Sequence, residues 1–109
     1  MENDISEEIF YLQAELCKSF ASPQRLMIIN QLKDGSKSVG ELSRNLNLKQ
    51  SHTSQLLAVL RKVGVIAPER RGNAVYYSLA NPQIITACEL VRSIIAEDLK
   101  RQKEIGEAI

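Results

Sequence analysis

The chain has 109 residues, 44% hydrophobic and 25% charged, with a formal net charge of +1 at pH 7. That composition is of one ordinary globular domain, and it excludes a disordered or fibrous chain and a second sizeable core. Its apolar runs fall far short of the roughly 20 residues that span a bilayer, and the start MENDISEEIF is acidic where a signal peptide is basic, so a cytoplasmic protein with reduced thiols and no membrane partner is expected.

In chain order, Ile5, Ile9, Leu12, Leu16 and Phe20 form a helical stripe over about residues 5–20. Ser22 is an N-cap followed by Pro23 at the first helical position, and the helix they open carries Leu26, Met27, Ile28, Ile29 and Leu32 before Asp34-Gly35 stops it. Ser38-Val39-Gly40-Glu41 spells a capping box for a short helix through Leu42 and Leu46, which Asn47 ends in the left-handed conformation. A further helix is predicted over about 50–63, with Leu56, Leu57, Leu60 and Val63 facing inward and Gly64 closing it. The period then changes to that of strands, at Val65-Ile66-Ala67 and at Ala74 to Leu79, with turn chemistry in Arg71-Gly72-Asn73. Pro68 makes the first strand short or an edge. Asn81-Pro82 opens a last helix over about 82–104, with Ile84, Cys88, Val91, Ile95 and Leu99 along one stripe.

The near-neutral charge hides an asymmetry. From position 44 to 79 lie Arg44, Lys49, Arg61, Lys62, Arg70 and Arg71 against the single acid Glu69, while every other acid lies outside that window. A basic middle between acidic ends suits a polyanion-binding element, although a solvated face has the same composition. Two short helices, a tight turn and a hairpin with basic residues at its tip describe one mainly helical domain over 1–109 with a small β-hairpin, a winged helix-turn-helix. The helix after the turn must then offer small and amide side chains to a major groove while its other face packs inward. Gln50, Ser51, His52, Ser54 and Gln55 stand at its front, where such helices approach bases.

The stretch SVGELSRNLNLKQSHTSQLLAVLRKVGVIAPERRGNAVYYSL, preceded by FASPQRLMII, resembles the DNA-binding core of ArsR/SmtB-type transcriptional repressors from about Leu16 to Leu79. The resemblance implies a homodimer through the first and last helices, bound to an imperfect palindrome and released by an inducer. On that reading Gln50 and Gln55 offer amides to adenine, Ser51, Ser54 and Lys49 hold phosphate, His52 contacts the groove, and Arg70 and Arg71 meet the minor groove or flanking phosphates. Capping and solvation would place the same serines and amides at a helix start, and a lone histidine can be plain surface. Arg61 and Lys62 are either phosphate contacts or a solvated helix end, and Tyr76 and Tyr77 read as strand packing rather than stacking platforms.

The family's cysteine motif for metals would fall on Ser38, Gly40 and Ser43, and its last-helix zinc motif near Asn81, Gln83, Ile94 and Glu97, of which only Glu97 could ligate. No metal and no cofactor is therefore expected. Cys17 and Cys88 sit on the two helices that the resemblance gives to the dimer interface, and Lys18 and Arg92 nearby would lower a thiol pKa, which makes the pair a candidate thiol sensor. The family's reactive-sulfur sensors use a second-helix cysteine where this chain has Asn30, and two cysteines 71 apart make no motif, so the favoured reading of each is a small buried hydrophobe. One histidine, no glycine-rich phosphate loop and no nucleophile with a base partner exclude an assignable enzyme site. The leading reading is a homodimeric repressor. A regulator without a small-molecule sensor and a winged helix used for protein–protein contact are the alternatives.

Overall fold

A computed structural model describes residues 2–108, with side chains from 6 to 107. The elements run α1 (Glu2–Ser19), α2 (Pro23–Gln31), β1 (Lys37–Ser38), α3 (Val39–Leu46), α4 (Gln50–Lys62), β2 (Ile66–Arg71), β3 (Ala74–Leu79) and α5 (Gln83–Ala108), with one 3₁₀ turn at Leu32–Asp34. The side chain of Ile5, first in the predicted stripe, lies outside the described residues.

Local chemistry sets the helix ends where the sequence places them. Ser22 accepts a hydrogen bond from the Arg25 N–H at 3.3 Å and Pro23 begins α2. At α3 the capping box is complete: the Glu41 N–H donates to Ser38 Oγ at 3.1 Å and the Ser38 N–H donates to Glu41 Oε1 at 3.2 Å. Those bonds satisfy two of the amides that a helix start leaves without partners. They also hold the Glu41 carboxyl below its ordinary pKa, the Ser38 N–H being the main cause. Asn47 takes φ +54, which turns the Leu48 N–H back onto the Ser43 carbonyl at 2.9 Å and reverses the chain between α3 and α4. The Lys49 side chain makes no cap bond at the start of α4.

The core is built where α2, α3, α4 and the base of the hairpin meet: Ile28, Ile29, Leu32, Leu42, Leu56, Leu57, Leu60, Val65 and Ile66 are all buried. From α5 only Cys88 joins them, with Ile84 and Ile85 partly buried at the helix start. The sheet is antiparallel in the order β1-β3-β2. The two-residue β1, absent from the sequence expectation, pairs Lys37 with Tyr77 and Ser38 with Tyr76 and so ties the entry of α3 to the wing. Of the two expectations at Pro68, a short strand or an edge, the edge holds. β2 continues through Pro68 to Arg71, because as an edge strand it can spare the missing proline N–H. Gly72 then occupies the first central position of a two-residue turn at φ +63, a conformation open to glycine at no steric cost.

The terminal helices project. The radius of gyration is 17.2 Å, against about 13 Å for a compact domain of this size. Along α1 and α5, Phe10, Tyr11, Leu90 and Ile94 are 69%, 75%, 61% and 66% exposed.

Candidate nucleic-acid interface

The outward face of α4 follows from its inward one. Thr53, Leu56, Leu57 and Leu60 recur at helical spacing and are buried, so the opposite stripe, Gln50, Ser51, Ser54, Gln55, Ala58, Arg61 and Lys62, faces out. Of the front cluster singled out in the sequence, Gln50, Ser51, Ser54 and Gln55 are exposed together and His52 is half-buried at their side. Lys49 stands exposed just before them. Arg61 and Lys62 extend that stripe by two turns and, with Ser54, Ala58 and Tyr77, line a shallow recess of about 360 Å³ between α4 and the wing.

Thr53 is the residue that sequence reasoning passed over. Its hydroxyl donates to the Lys49 carbonyl at 3.0 Å and accepts from Ser43 Oγ at 3.0 Å, both residues being buried. This relay joins α3 to α4 inside the core and fixes the angle at which α4 is presented, since a buried hydroxyl left unpaired costs free energy. The signal was present in the spacing: Thr53 stands three and four residues before Leu56 and Leu57, on the buried stripe.

At the wing the two arginines part company. Successive strand residues face opposite sides of the sheet. Arg71 Nη2 bonds Glu69 Oε2 at 3.2 Å and Ser36 Oγ at 3.0 Å, and its guanidinium lies 4.8 Å from the centroid of the Tyr76 ring. Arg70, registered with Val75 on the side of the sheet that carries Tyr77, is exposed and has no side-chain partner among the described residues. Tyr77 packs against the core, and Tyr76 supports Arg71, so neither is a free stacking platform.

The two cysteines line one cleft between α1, α2 and α5. Cys17 is exposed and Cys88 is buried. Burial pushes the Cys88 thiol above its ordinary pKa and outweighs the opposing charge of Arg92, contrary to the expectation that Arg92 would activate it. Among the described residues no group of three His, Cys, Asp or Glu side chains could hold a metal, and no helix is long and apolar enough to cross a membrane.

Comparison with known proteins places this geometry in a family. The model of the bacterial regulatory proteins of the arsR family matches residues 22–67. The HTH-type transcriptional regulator Rv0081 of Mycobacterium tuberculosis is 42% identical over 103 residues, 94% of this chain and 90% of the relative. Its crystal structure superposes with a TM-score of 0.78 at 39% identity, covering 86% of this chain and 95% of that one. A biofilm growth-associated repressor of Agrobacterium fabrum is 37% identical over 83 residues, 76% of this chain and 68% of the relative. The solution structure of a homodimeric winged helix-turn-helix DNA-binding domain from Mycobacterium bovis, at 23% identity, shares the fold with a TM-score of 0.82 and covers 90% of this chain and 91% of that domain. With its capped α3, its left-handed turn at Asn47 and its two-stranded wing, the chain belongs to the ArsR family of winged helix-turn-helix transcriptional regulators.

Proposed function

We propose that this regulator is a cytoplasmic homodimer that binds a palindromic DNA operator and represses by covering promoter DNA. One observation carries the reading: the front of α4 turns Gln50, Ser51, Ser54 and Gln55 outward while Thr53 and the leucines behind hold it inward. Gln50 and Gln55 present bidentate amides to adenine edges; Ser51, Ser54 and Lys49 hold phosphate; His52 lies against the groove wall. Arg61 and Lys62 continue the backbone contact along the α4 stripe. At the wing, Arg70 reaches the flanking phosphates or minor groove and Arg71 stiffens the strand that carries it. The dimer forms through the exposed apolar faces of α1 and α5 and sets the two α4 helices one DNA turn apart, about 34 Å.

Selection from a random duplex library tests the whole reading. The expected product is an inverted repeat with half-sites about 10 base pairs apart, bound with a log Kd that changes linearly with log salt concentration. Failure to enrich any sequence, with no salt-dependent binding to any duplex, rejects it in favour of a protein-binding winged helix.

A further inference from the structure

The cleft that holds the cysteines has a volume of about 790 Å³, within the range of roughly 300–1,000 Å³ typical of small-molecule sites. Its walls are mainly apolar, with Phe20, Leu26, Met27, Val91 and Ile95 among them. Across that lining the only charge is Arg92, and neither aspartate nor glutamate is present. Among the described residues the Arg92 guanidinium makes one hydrogen bond, Nη2 donating to Asn30 Oδ1 at 3.3 Å, a long bond to a neutral acceptor. It therefore keeps most of its five donors for something else. Arg71, by contrast, is met by a carboxylate.

We propose that this cleft binds an apolar monocarboxylate, with the hydrocarbon or aromatic body among the α1, α2 and α5 side chains and the carboxylate paired to Arg92. A carboxylate matches the planar guanidinium in two parallel hydrogen bonds, and one negative charge balances the one positive charge of the wall. A second protomer is a poorer occupant, because α5 has two apolar flanks. Cys88, Val91 and Ile95 look into the cleft, whereas Leu90 and Ile94 lie roughly a third of the way round the helix from them. The dimer can use the second flank and leave the first to a ligand.

The position also suits a sensor, a consequence that rests on the proposed DNA-binding function. A carboxylate drawing Arg92 from Asn30 loosens the tie between α5 and α2. The neighbouring Gln31, also in the cleft wall, accepts the Asn45 amide N–H at 2.9 Å and so joins α2 to α3. From α3 the Ser43–Thr53 relay leads to α4.

Calorimetry on the full chain without DNA tests the binding by itself, with hexanoate, dodecanoate and 1-naphthoate as probes and dodecanol as the uncharged control, each below any micelle-forming concentration. The expected result is saturable binding of at least one carboxylate, one per protomer, and weaker binding of dodecanol. Arg92→Gln should weaken the carboxylate roughly tenfold and leave dodecanol unchanged. The bound carboxylate should also slow alkylation of Cys17 by iodoacetamide. Binding of none of the three, equal binding of dodecanoate and dodecanol, or an unchanged affinity in Arg92→Gln overturns the proposal. So does a Cys17 already protected in the ligand-free dimer with no heat of binding, which would give the cleft to the second copy. Because no DNA is present, these outcomes are independent of whether the selection experiment yields an operator.

Discussion

The segment from α2 to β3 and the pair α1 and α5 expose surfaces of opposite kinds. In the first, most of the large apolar residues are used up in the core, Met27 and Val59 being the exposed exceptions, and the outer face of α4 and the wing carries mainly amide, hydroxyl and guanidinium groups. In the second, Ile9, Phe10, Tyr11, Leu12, Leu90, Ile94 and Leu99 stay exposed although the helices are regular. Isolated exposed apolar residues are normal, but whole helical rows of them mark surfaces meant for another protein. The contrast shows two kinds of surface: one half of the chain completes its own packing and is left with a polar, basic exterior, which the proposed function gives to DNA, while the other keeps apolar rows uncovered.

The strongest way to break that contrast is to charge the unfinished half. Ile94→Asp puts an unpaired carboxylate in the proposed dimer interface without touching the cleft lining. It should weaken dimerisation by about 3–5 kcal/mol, roughly two to four orders of magnitude in Kd. Sedimentation equilibrium should then report the monomer mass at concentrations where the parent is a dimer; an unaltered mass assigns the dimer to another surface.

The finished half is tested from inside by Thr53→Val, which keeps the shape and removes the hydroxyl. Ser43 Oγ then loses its buried acceptor, and stability should fall by about 1–3 kcal/mol in urea unfolding. Adding Ser43→Ala should cost little more, since the partners then leave together. On its outer side, Gln55→Ala should cost about 1–3 kcal/mol on the selected operator and relax one base pair of specificity, with stability unchanged.

What the sequence made legible follows the same division. The caps at Ser22 and Ser38, the turn at Asn47 and the α4 leucine stripe are local, written within a few residues, and the structure places each as read. Contacts between distant residues were not legible. Nothing in Lys37-Ser38 announces a strand, because the cap accounts for the extended Ser38 and the pairing partner, β3, lies some forty residues on. Arg70 and Arg71 look equivalent in sequence until Ser36 and Tyr76 arrive from elsewhere to claim one of them. Cys88 shows the sign reversing. Its nearby cation, Arg92, is visible in sequence, but the packing that desolvates the thiol and outweighs that charge is not.

A smaller effect separates local capping from binding. Ser38→Ala removes the acceptor of the capping box and should cost about 1 kcal/mol. The pH dependence has a definite sign. The folded state lowers the Glu41 pKa from its ordinary value of 4.5, so the cap's contribution is full above that value and is lost as pH falls through the lowered pKa. Ser38→Ala keeps the backbone N–H that is the main cause of the lowered pKa, so most of that acid limb should survive it, whereas Glu41→Gln should abolish the limb; both should leave operator affinity near neutral pH unaltered.

The finest test divides the wing arginines. Arg70 has no side-chain partner among the described residues, so Arg70→Ala should weaken binding to all duplexes alike and lower the salt slope by about one, as loss of a phosphate contact does. The Arg71 guanidinium is already held by Glu69, Ser36 and Tyr76. That ion pair is more than half exposed, with side-chain exposures of 52% and 57%, and solvent screens it, so its contribution to stability is small, about 0–1 kcal/mol. Arg71→Ala should therefore shift the unfolding midpoint little and leave the salt slope at the parent value, because no counterion-releasing contact is lost. Equal slopes for the two variants, both reduced by about one, would mean that Arg71 leaves Glu69 for phosphate when DNA is bound. Phosphate would then win over a carboxylate 3.2 Å away, and the wing tip would rearrange on binding rather than arrive preformed.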